Sequence, residues 1–166
     1  MVMVNKVVAI YESPIGHVRI IEESGYIIEI RTLDTIEESE IGLLQTEPND
    51  ILKACIKEIE EYFDGTRQTF TFQYKNKGTA FREKVWHELE KIPYGKTISY
   101  GTLAMMIGNK NAARAVGSAN HHNNLWLIVP CHRVIGADGS MTGYGGGIWR
   151  KEWLLAHEKK HSEGIK

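Results

Sequence analysis

Three short segments near the N-terminus, residues 4–11, 17–21 and 26–31, are rich in β-branched and aromatic side chains. Turn-forming residues separate them at hairpin length. This pattern predicts a small antiparallel sheet. Residues 68–74 have a similar composition and are expected to add an edge strand.

Between positions 51 and 63 the pattern changes, and apolar residues recur every three or four positions. Such spacing predicts an amphipathic helix. Asn49 or Asp50 can cap its start and Gly65 can end it. Cys55 lies on the apolar face of this helix and is expected to pack in the core. The acidic segment 35–49 has no clear period and is expected to be a loop.

The polar stretch 75–78 is the expected boundary between two domains, residues 1–78 and 79–166. Beyond it, Thr79 can cap an amphipathic helix whose apolar positions extend to Ile92.

Two short helices follow in the second domain. Ser99 can cap one over residues 100–107, and Asn111 can cap another over residues 112–120. Two short helices joined by a tight turn predict a helix-turn-helix. The fold class is therefore α+β, a small antiparallel sheet with a helix followed by a mostly helical domain.

Composition narrows the class of protein. The chain has 166 residues, of which 42% are hydrophobic and 25% charged, as in ordinary globular proteins. No stretch approaches the roughly 18 apolar residues of a membrane helix, and the first residues lack a signal-peptide layout. The two cysteines offer no disulfide framework. An intracellular protein without membrane association is expected.

Charge is distributed unevenly along the chain. Residues 1–78 carry 8 Lys and Arg against 14 Asp and Glu, whereas residues 79–166 carry 12 against 7. The second half is therefore mildly basic and could face phosphates. Chance imbalance between two solvated surfaces is the alternative.

Cys131 is the candidate nucleophile, because His132 and Arg133 follow it directly. A thiol beside an imidazole and a guanidinium can ionise and attack an electrophile. A lone cysteine is more often a buried hydrophobe.

Glu158 ends an apolar stripe of the C-terminal segment. It is either an inward carboxylate that needs a histidine partner or an exposed helix-end residue.

The second helix of the helix-turn-helix is unusual because nearly all its side chains are small. Base-edge reading in the major groove needs long polar side chains, and this helix has one, Arg114. A smooth helix with one long cation suits sequence-independent minor-groove binding. Tight helix packing is the alternative. The candidate DNA-binding residues are Ala112, Ala113, Arg114, Ala115, Gly117 and Ser118.

No metal or cofactor is expected. The adjacent residues His121 and His122 point in different directions, and no Cys or His spacing resembles a zinc site. The glycine-rich turn 143–147 lacks the Gly-Lys-Ser/Thr ending of a phosphate-binding loop.

Residues 79–160 resemble the O6-alkylguanine-DNA alkyltransferases, also called methylated-DNA–protein-cysteine methyltransferases. Order and spacing agree, and the proline-cysteine-histidine-arginine-valine run is highly specific. The matching segments are Ile92-Pro93-Tyr94-Gly95, Ser99-Tyr100, Ala112-Ala113-Arg114-Ala115-Val116-Gly117, Pro130-Cys131-His132-Arg133-Val134 and Lys151-Glu152-Trp153-Leu154-Leu155-Ala156-His157-Glu158.

The resemblance implies a fold, a substrate and a reaction. The N-terminal domain would be ribonuclease H-like and the C-terminal domain would hold a winged helix-turn-helix. The partner would be double-stranded DNA containing O6-alkylguanine, or O4-alkylthymine, and the protein would act as a cytoplasmic monomer. One alkyl group would pass irreversibly to Cys131 in a single turnover.

The resemblance also implies residue roles. Cys131 would accept the alkyl group, with His132 and Glu158 in a Cys–water–His–Glu network. Tyr100 would protonate the departing guanine, and Asn123 would hold the turn before the cysteine. Arg114 would fill the space of the flipped base. The base itself would be held by the carbonyls of Cys131 and Val134, by Tyr144 and by the Gly145 amide.

Two departures and two rival functions accompany the resemblance. Asn124 stands where the family commonly has proline, and Gly145 where many members carry serine.

One rival function is that of a non-catalytic protein that binds alkylated DNA. The other is a Cys-His hydrolase or acyltransferase, which would turn over repeatedly.

Overall fold

Residues 6–36, 48–141, 144 and 146–163 are described by a computed structural model. The chain divides into two compact units, Met1–Asn76 and Lys77–Lys166. Among the described residues, no helix has the length and apolar character needed to span a bilayer.

The first unit begins with three antiparallel strands in the order β1-β2-β3, namely Lys6–Ser13, Gly16–Glu23 and Tyr26–Leu33. Two-residue turns join them, with Ser13 paired to Gly16 and Glu23 paired to Tyr26. Ser24 and Gly25 in the second turn both have positive φ, which matches the turn to the twist of the strands it joins. The predicted sheet is confirmed.

Helix α1, Asp50–Asp64, covers this sheet with its apolar face. Asn49 caps it, because its side chain accepts a hydrogen bond from the Leu52 amide at 3.0 Å. Gly65 ends it with a φ of 84°, a conformation that favours glycine. Cys55 is fully buried in the core, as predicted.

The predicted edge strand over residues 68–74 is wrong. The structure has only an isolated parallel bridge between Tyr74 and Ile27. The carboxylate of Glu58 accepts from both the Thr71 amide (2.7 Å) and the Thr71 hydroxyl (2.9 Å). Since that amide is bonded to a side chain, it is not available for a strand ladder.

The second unit is mostly helical. Its elements in chain order are helix α2 (Ala80–Leu89), strand β4 (Ile98–Ser99), helices α3 (Tyr100–Met106) and α4 (Ala113–His121), a 3₁₀ turn (Cys131–Arg133), strand β5 (Val134–Ile135) and helix α5 (Ile148–Glu163). Strands β4 and β5 pair in parallel. They bring the start of α3 close to the residues that follow Cys131.

Helices α3 and α4 form the predicted helix-turn-helix. Ser99 caps α3 by accepting from the Thr102 amide at 3.0 Å. The Trp86 indole of α2 donates to the Ala119 carbonyl at 2.8 Å and ties α4 to the core. The predicted Asn111 cap is wrong, since α4 begins after Ala112 without a side-chain cap. The Asn111 amide donates to the Asn109 side chain, within a local turn.

Candidate active site

The turn before Cys131 is built around the Asn123 side chain, which is fully buried. Its Nδ2 donates to the Val129 carbonyl at 2.8 Å, and its Oδ1 accepts from the Leu125 amide at 3.0 Å. The Trp126 indole donates to the Asn123 carbonyl at 3.1 Å. Leu127 has a φ of 75°, which is unfavourable for a branched residue. One amide side chain therefore holds a strained loop that delivers the cysteine.

Cys131 opens the 3₁₀ turn and is 5% exposed. Its carbonyl accepts from the Asn120 side chain at 3.2 Å. Burial raises the pKa of the Cys131 thiol, whereas a hydrogen bond from Asn123 and the charge of Lys151 act to lower it. The resting thiol is therefore protonated, and it needs a base before it can attack.

His132, the next residue in the chain, is the candidate for that base. Its Nε2 lies 2.7 Å from Oε2 of Glu158, and both side chains are fully buried. Burial lowers the pKa of His132, although Glu158 opposes this shift. A neutral imidazole that donates through Nε2 keeps its lone pair on Nδ1. That Nδ1 is buried and has no hydrogen-bond partner among the described residues.

Arg133 turns to Glu158 rather than to the thiol. Its Nε and NH2 donate to the two carboxylate oxygens at 2.8 and 3.0 Å, and its NH1 donates to the Ile92 carbonyl at 2.7 Å. The Gly95 amide also donates to Glu158, at 3.3 Å. Burial raises the pKa of Glu158, but His132 and Arg133 outweigh burial and hold it well below its usual range.

The position of Arg133 corrects the sequence interpretation, which placed its guanidinium beside the thiol. The inward carboxylate of Glu158 is the alternative that the structure confirms, since the residue is fully buried in α5. The cation that acts on Cys131 is Lys151, a residue for which sequence reasoning gave no role.

Tyr100 and Lys151 contact each other, and both interact electrostatically with Cys131. Lys151 Nζ donates to the Tyr100 hydroxyl at 3.4 Å. Burial raises the pKa of Tyr100, and the negative charge of a Cys131 thiolate raises it further. A phenol near a nucleophilic sulfur can donate a proton to a leaving group.

Tyr144 lies against the turn that carries the cysteine. Its ring centroid is 5.0 Å from that of Trp126. Its hydroxyl is buried and has no hydrogen-bond partner in the described part of the chain. Arg150 donates to the Gly146 carbonyl at 2.8 Å and so ties the start of α5 to the glycine-rich turn that contains Tyr144. Val134 is fully buried beside the turn, and its amide donates to the Cys131 carbonyl. Gly145 lies outside the described residues.

The face of α4 that carries Arg114 is exposed and nearly smooth. Ala113, Arg114, Ala115 and Ser118 are exposed, Gly117 is half-buried, and a Cβ built on Gly117 would meet no atom within 4 Å. Val116 and Ala119 face the core instead. Ala112 is also buried, at 8% exposure, so it supports the helix start and presents little surface.

No group of three or more His, Cys, Asp or Glu side chains among the described residues could hold a metal ion.

Fold and site together define a helix-turn-helix protein with a buried cysteine directly before a buried histidine–carboxylate pair. Models of two domains of 6-O-methylguanine DNA methyltransferase match the chain, the ribonuclease-like domain over residues 6–75 and the DNA-binding domain over residues 80–160. The chain belongs to the 6-O-methylguanine DNA methyltransferase family, and the resemblance seen in the sequence is confirmed.

Named relatives agree with this assignment. A methylated-DNA–protein-cysteine methyltransferase of Mycolicibacterium paratuberculosis is 43% identical over 152 residues, covering 91% of each chain. The crystal structure of Mycobacterium tuberculosis O6-methylguanine methyltransferase has a TM-score of 0.85 at 40% identity, over 95% of this chain and 94% of that one. A structure of the Mycobacterium tuberculosis protein in complex with DNA has a TM-score of 0.81 at 40% identity, over 92% of each chain.

Proposed function

We propose that this protein repairs DNA by direct reversal, moving the alkyl group of O6-alkylguanine in double-stranded DNA to its own Cys131. The arrangement that supports this most strongly is the buried thiol of Cys131 directly before the His132–Glu158 pair, in the unit that carries the helix-turn-helix. The family to which the chain belongs acts on the same lesion.

Activation of the thiol begins at Glu158. Its ionised carboxylate accepts the Nε2 hydrogen of His132 and leaves Nδ1 as a proton acceptor. Because neighbouring side chains of a turn diverge, one water bridges the thiol and Nδ1 and relays the proton. The thiolate then attacks the alkyl carbon in line, so that a carbon–sulfur bond forms while the carbon–O6 bond breaks.

The departing guanine leaves as an anion and needs a proton, which Tyr100 supplies. The base is held during this step by the carbonyls of Cys131 and Val134, by Tyr144 and by the Gly145 amide. Tyr144 fits this role because its buried hydroxyl has no partner among the described residues. Asn123 keeps the cysteine in place through its bonds to the preceding turn.

A base stacked in a duplex cannot reach a buried thiol, so the nucleotide must leave the helix. The exposed small side chains of α4 allow close approach to the minor groove. Arg114, the one long side chain on that face, fills the space that the base vacates.

The product is a thioether, which neither water nor a cellular thiol reverses. Each molecule therefore acts once. We expect it to act as a monomer without a cofactor, in the cytoplasm, where DNA is accessible. O4-alkylthymine presents a similar oxygen-linked alkyl group and is a second candidate substrate.

The deciding experiment incubates the protein with a duplex that carries methyl-labelled O6-methylguanine. Intact-mass analysis should show one added methyl group, located on the peptide that contains Cys131. Cys131→Ala should lose the label and keep DNA binding, while Cys55→Ala, which alters the other buried cysteine, should be labelled normally. Binding without label would identify a non-catalytic damage-binding protein. Repeated turnover of a thioester or amide would identify a hydrolase or acyltransferase.

A further inference from the structure

The side chain of Lys151 in α5 is fully buried, which is unusual for lysine. Lys159 and Lys160 of the same helix are exposed, as expected. Burying an ammonium group is costly unless nearby groups stabilise the charge. What surrounds Lys151 therefore indicates what this residue is for.

Lys151 faces the reacting groups of the site. Its Nζ lies 3.4 Å from the Tyr100 hydroxyl and 5.6 Å from the centroid of the Tyr100 ring. Burial lowers the pKa of Lys151, whereas a thiolate at Cys131 acts to raise it and so favours the ammonium form. In turn, the charge of Lys151 lowers the pKa values of both Cys131 and His132.

The groups that act on the Cys131 thiol come from several elements. Asn123 bonds to it from the preceding turn, and the charge of Lys151 in α5 lowers its pKa. The charge of the thiolate in turn raises the pKa values of Tyr100 in α3 and of Tyr144. Among these four, Lys151 is the one that carries a positive charge. Arg133, the nearest arginine in sequence, is bonded to Glu158 instead.

We propose that Lys151 is a positioning residue for alkyl transfer, whose buried ammonium balances the Cys131 thiolate and holds the Tyr100 hydroxyl at the reacting centre. This inference rests on the proposed function. When the thiolate attacks, negative charge leaves sulfur and moves to the guanine. Tyr100 gives its proton to the guanine, and the resulting phenolate stays next to the ammonium, which donates its hydrogen bond to it. The phenolate regains a proton from water once the site reopens.

The neutral variant Lys151→Met, which has a similar length, tests the charge, and Lys160→Met of the same helix is the matched control. The first measurement is the pH dependence of Cys131 alkylation by iodoacetamide, which needs the thiolate but neither DNA nor Tyr100. Loss of a nearby opposite charge should raise the pH midpoint of Lys151→Met by about 1 unit or more. The Lys160→Met midpoint should equal that of the wild type.

The second measurement is the single-turnover rate on a duplex containing O6-methylguanine. Lys151→Met should react on the order of 10²-fold more slowly, as when one charge-stabilising donor is removed from a site. Lys151→Arg, which keeps the charge, should recover most of the iodoacetamide midpoint. If Lys151→Met does not fold, judged by circular dichroism, Lys151→Gln takes its place in both assays.

A double-mutant cycle tests the contact with Tyr100. If Lys151 acts through this hydroxyl, the fold-loss in rate of the double variant Tyr100→Phe with Lys151→Met should be smaller than the product of the two separate fold-losses. An unchanged midpoint together with a transfer rate within about 2-fold of wild type would overturn the proposal, since removing such a donor should cost far more. Absence of transfer by the wild type would instead refute the proposed function, and the iodoacetamide midpoint would still report on the Lys151 charge.

Discussion

The guanidinium of Arg133 binds the carboxylate of Glu158 side-on, with Nε 2.8 Å from Oε1 and NH2 3.0 Å from Oε2. Oε2 also contacts His132 at 2.7 Å. The bidentate pair fixes the plane of the carboxylate and keeps it ionised. The imidazole of His132 is therefore oriented by an ion pair that is itself buried.

Replacing Glu158 with glutamine should destabilise the protein as well as slow alkyl transfer. The amide has one accepting oxygen where the carboxylate has two, so it cannot keep both hydrogen bonds from Arg133. The buried guanidinium also loses its counter-charge. Breaking such a pair costs about 3–5 kcal/mol. Urea denaturation followed by tryptophan fluorescence measures the loss. Glu152→Gln, on the exposed side of α5, should change the unfolding free energy little. Equal stability of both variants would contradict a structural role for the pair.

The contribution of Glu158 to stability should depend on pH. The pKa of Glu158 in the folded protein lies well below the ordinary value of 4.5. The unfolded chain therefore takes up a proton first as pH falls, and the stabilisation is complete above about pH 4.5 and lost below it. The difference in unfolding free energy between wild type and Glu158→Gln should shrink from pH 5 to pH 3. A constant difference over that range would show that the carboxylate is not held ionised.

Arg114→Ala should slow repair in duplex DNA more than reaction with free O6-methylguanine base. The duplex reaction needs an extruded nucleotide, whereas the free base does not. Lys110→Ala is the control, because this exposed lysine precedes the same helix. It should weaken binding and its salt dependence without a selective effect on the duplex. Equal losses on the two substrates would remove Arg114 from the flipping step.

Tyr100→Phe should slow the chemical step by on the order of 10²-fold or more if the phenol protonates the departing guanine. Single-turnover rates at saturating protein isolate this step from DNA binding. The iodoacetamide reaction of Cys131, which has a different leaving group, should change far less. A near-normal transfer rate would exclude Tyr100 as the proton donor.

Much of the fold could be predicted because its signals are local. The caps Asn49, Thr79 and Ser99 lie next to the helices they start. The edge strand is wrong because Glu58 of α1, 13 positions away, takes the Thr71 amide. The Asn111 cap is wrong although its surroundings are local, because α4 begins after Ala112 and the Asn111 amide donates to Asn109 within the turn.

The candidate site likewise has residues that the sequence could predict and partners that it could not. Cys131 and His132 are adjacent in sequence and lie within a specific motif, so the nucleophile and its base could be proposed from the chain alone. Their partners are distant: Glu158 lies 25 positions from Arg133, and Lys151 lies 51 positions from Tyr100.

The sequence by itself determined the N-terminal sheet and its helix, the helix-turn-helix, the family and the thiol that the family uses. The tertiary structure decided which cation faces which anion: Arg133 pairs with Glu158, and Lys151 faces Cys131 and Tyr100. The physical reason is the distance along the chain over which each interaction acts. Caps and periodicity act over one or two helical turns, whereas a buried charge finds its partner only when α5 packs beside the 3₁₀ turn and water is excluded.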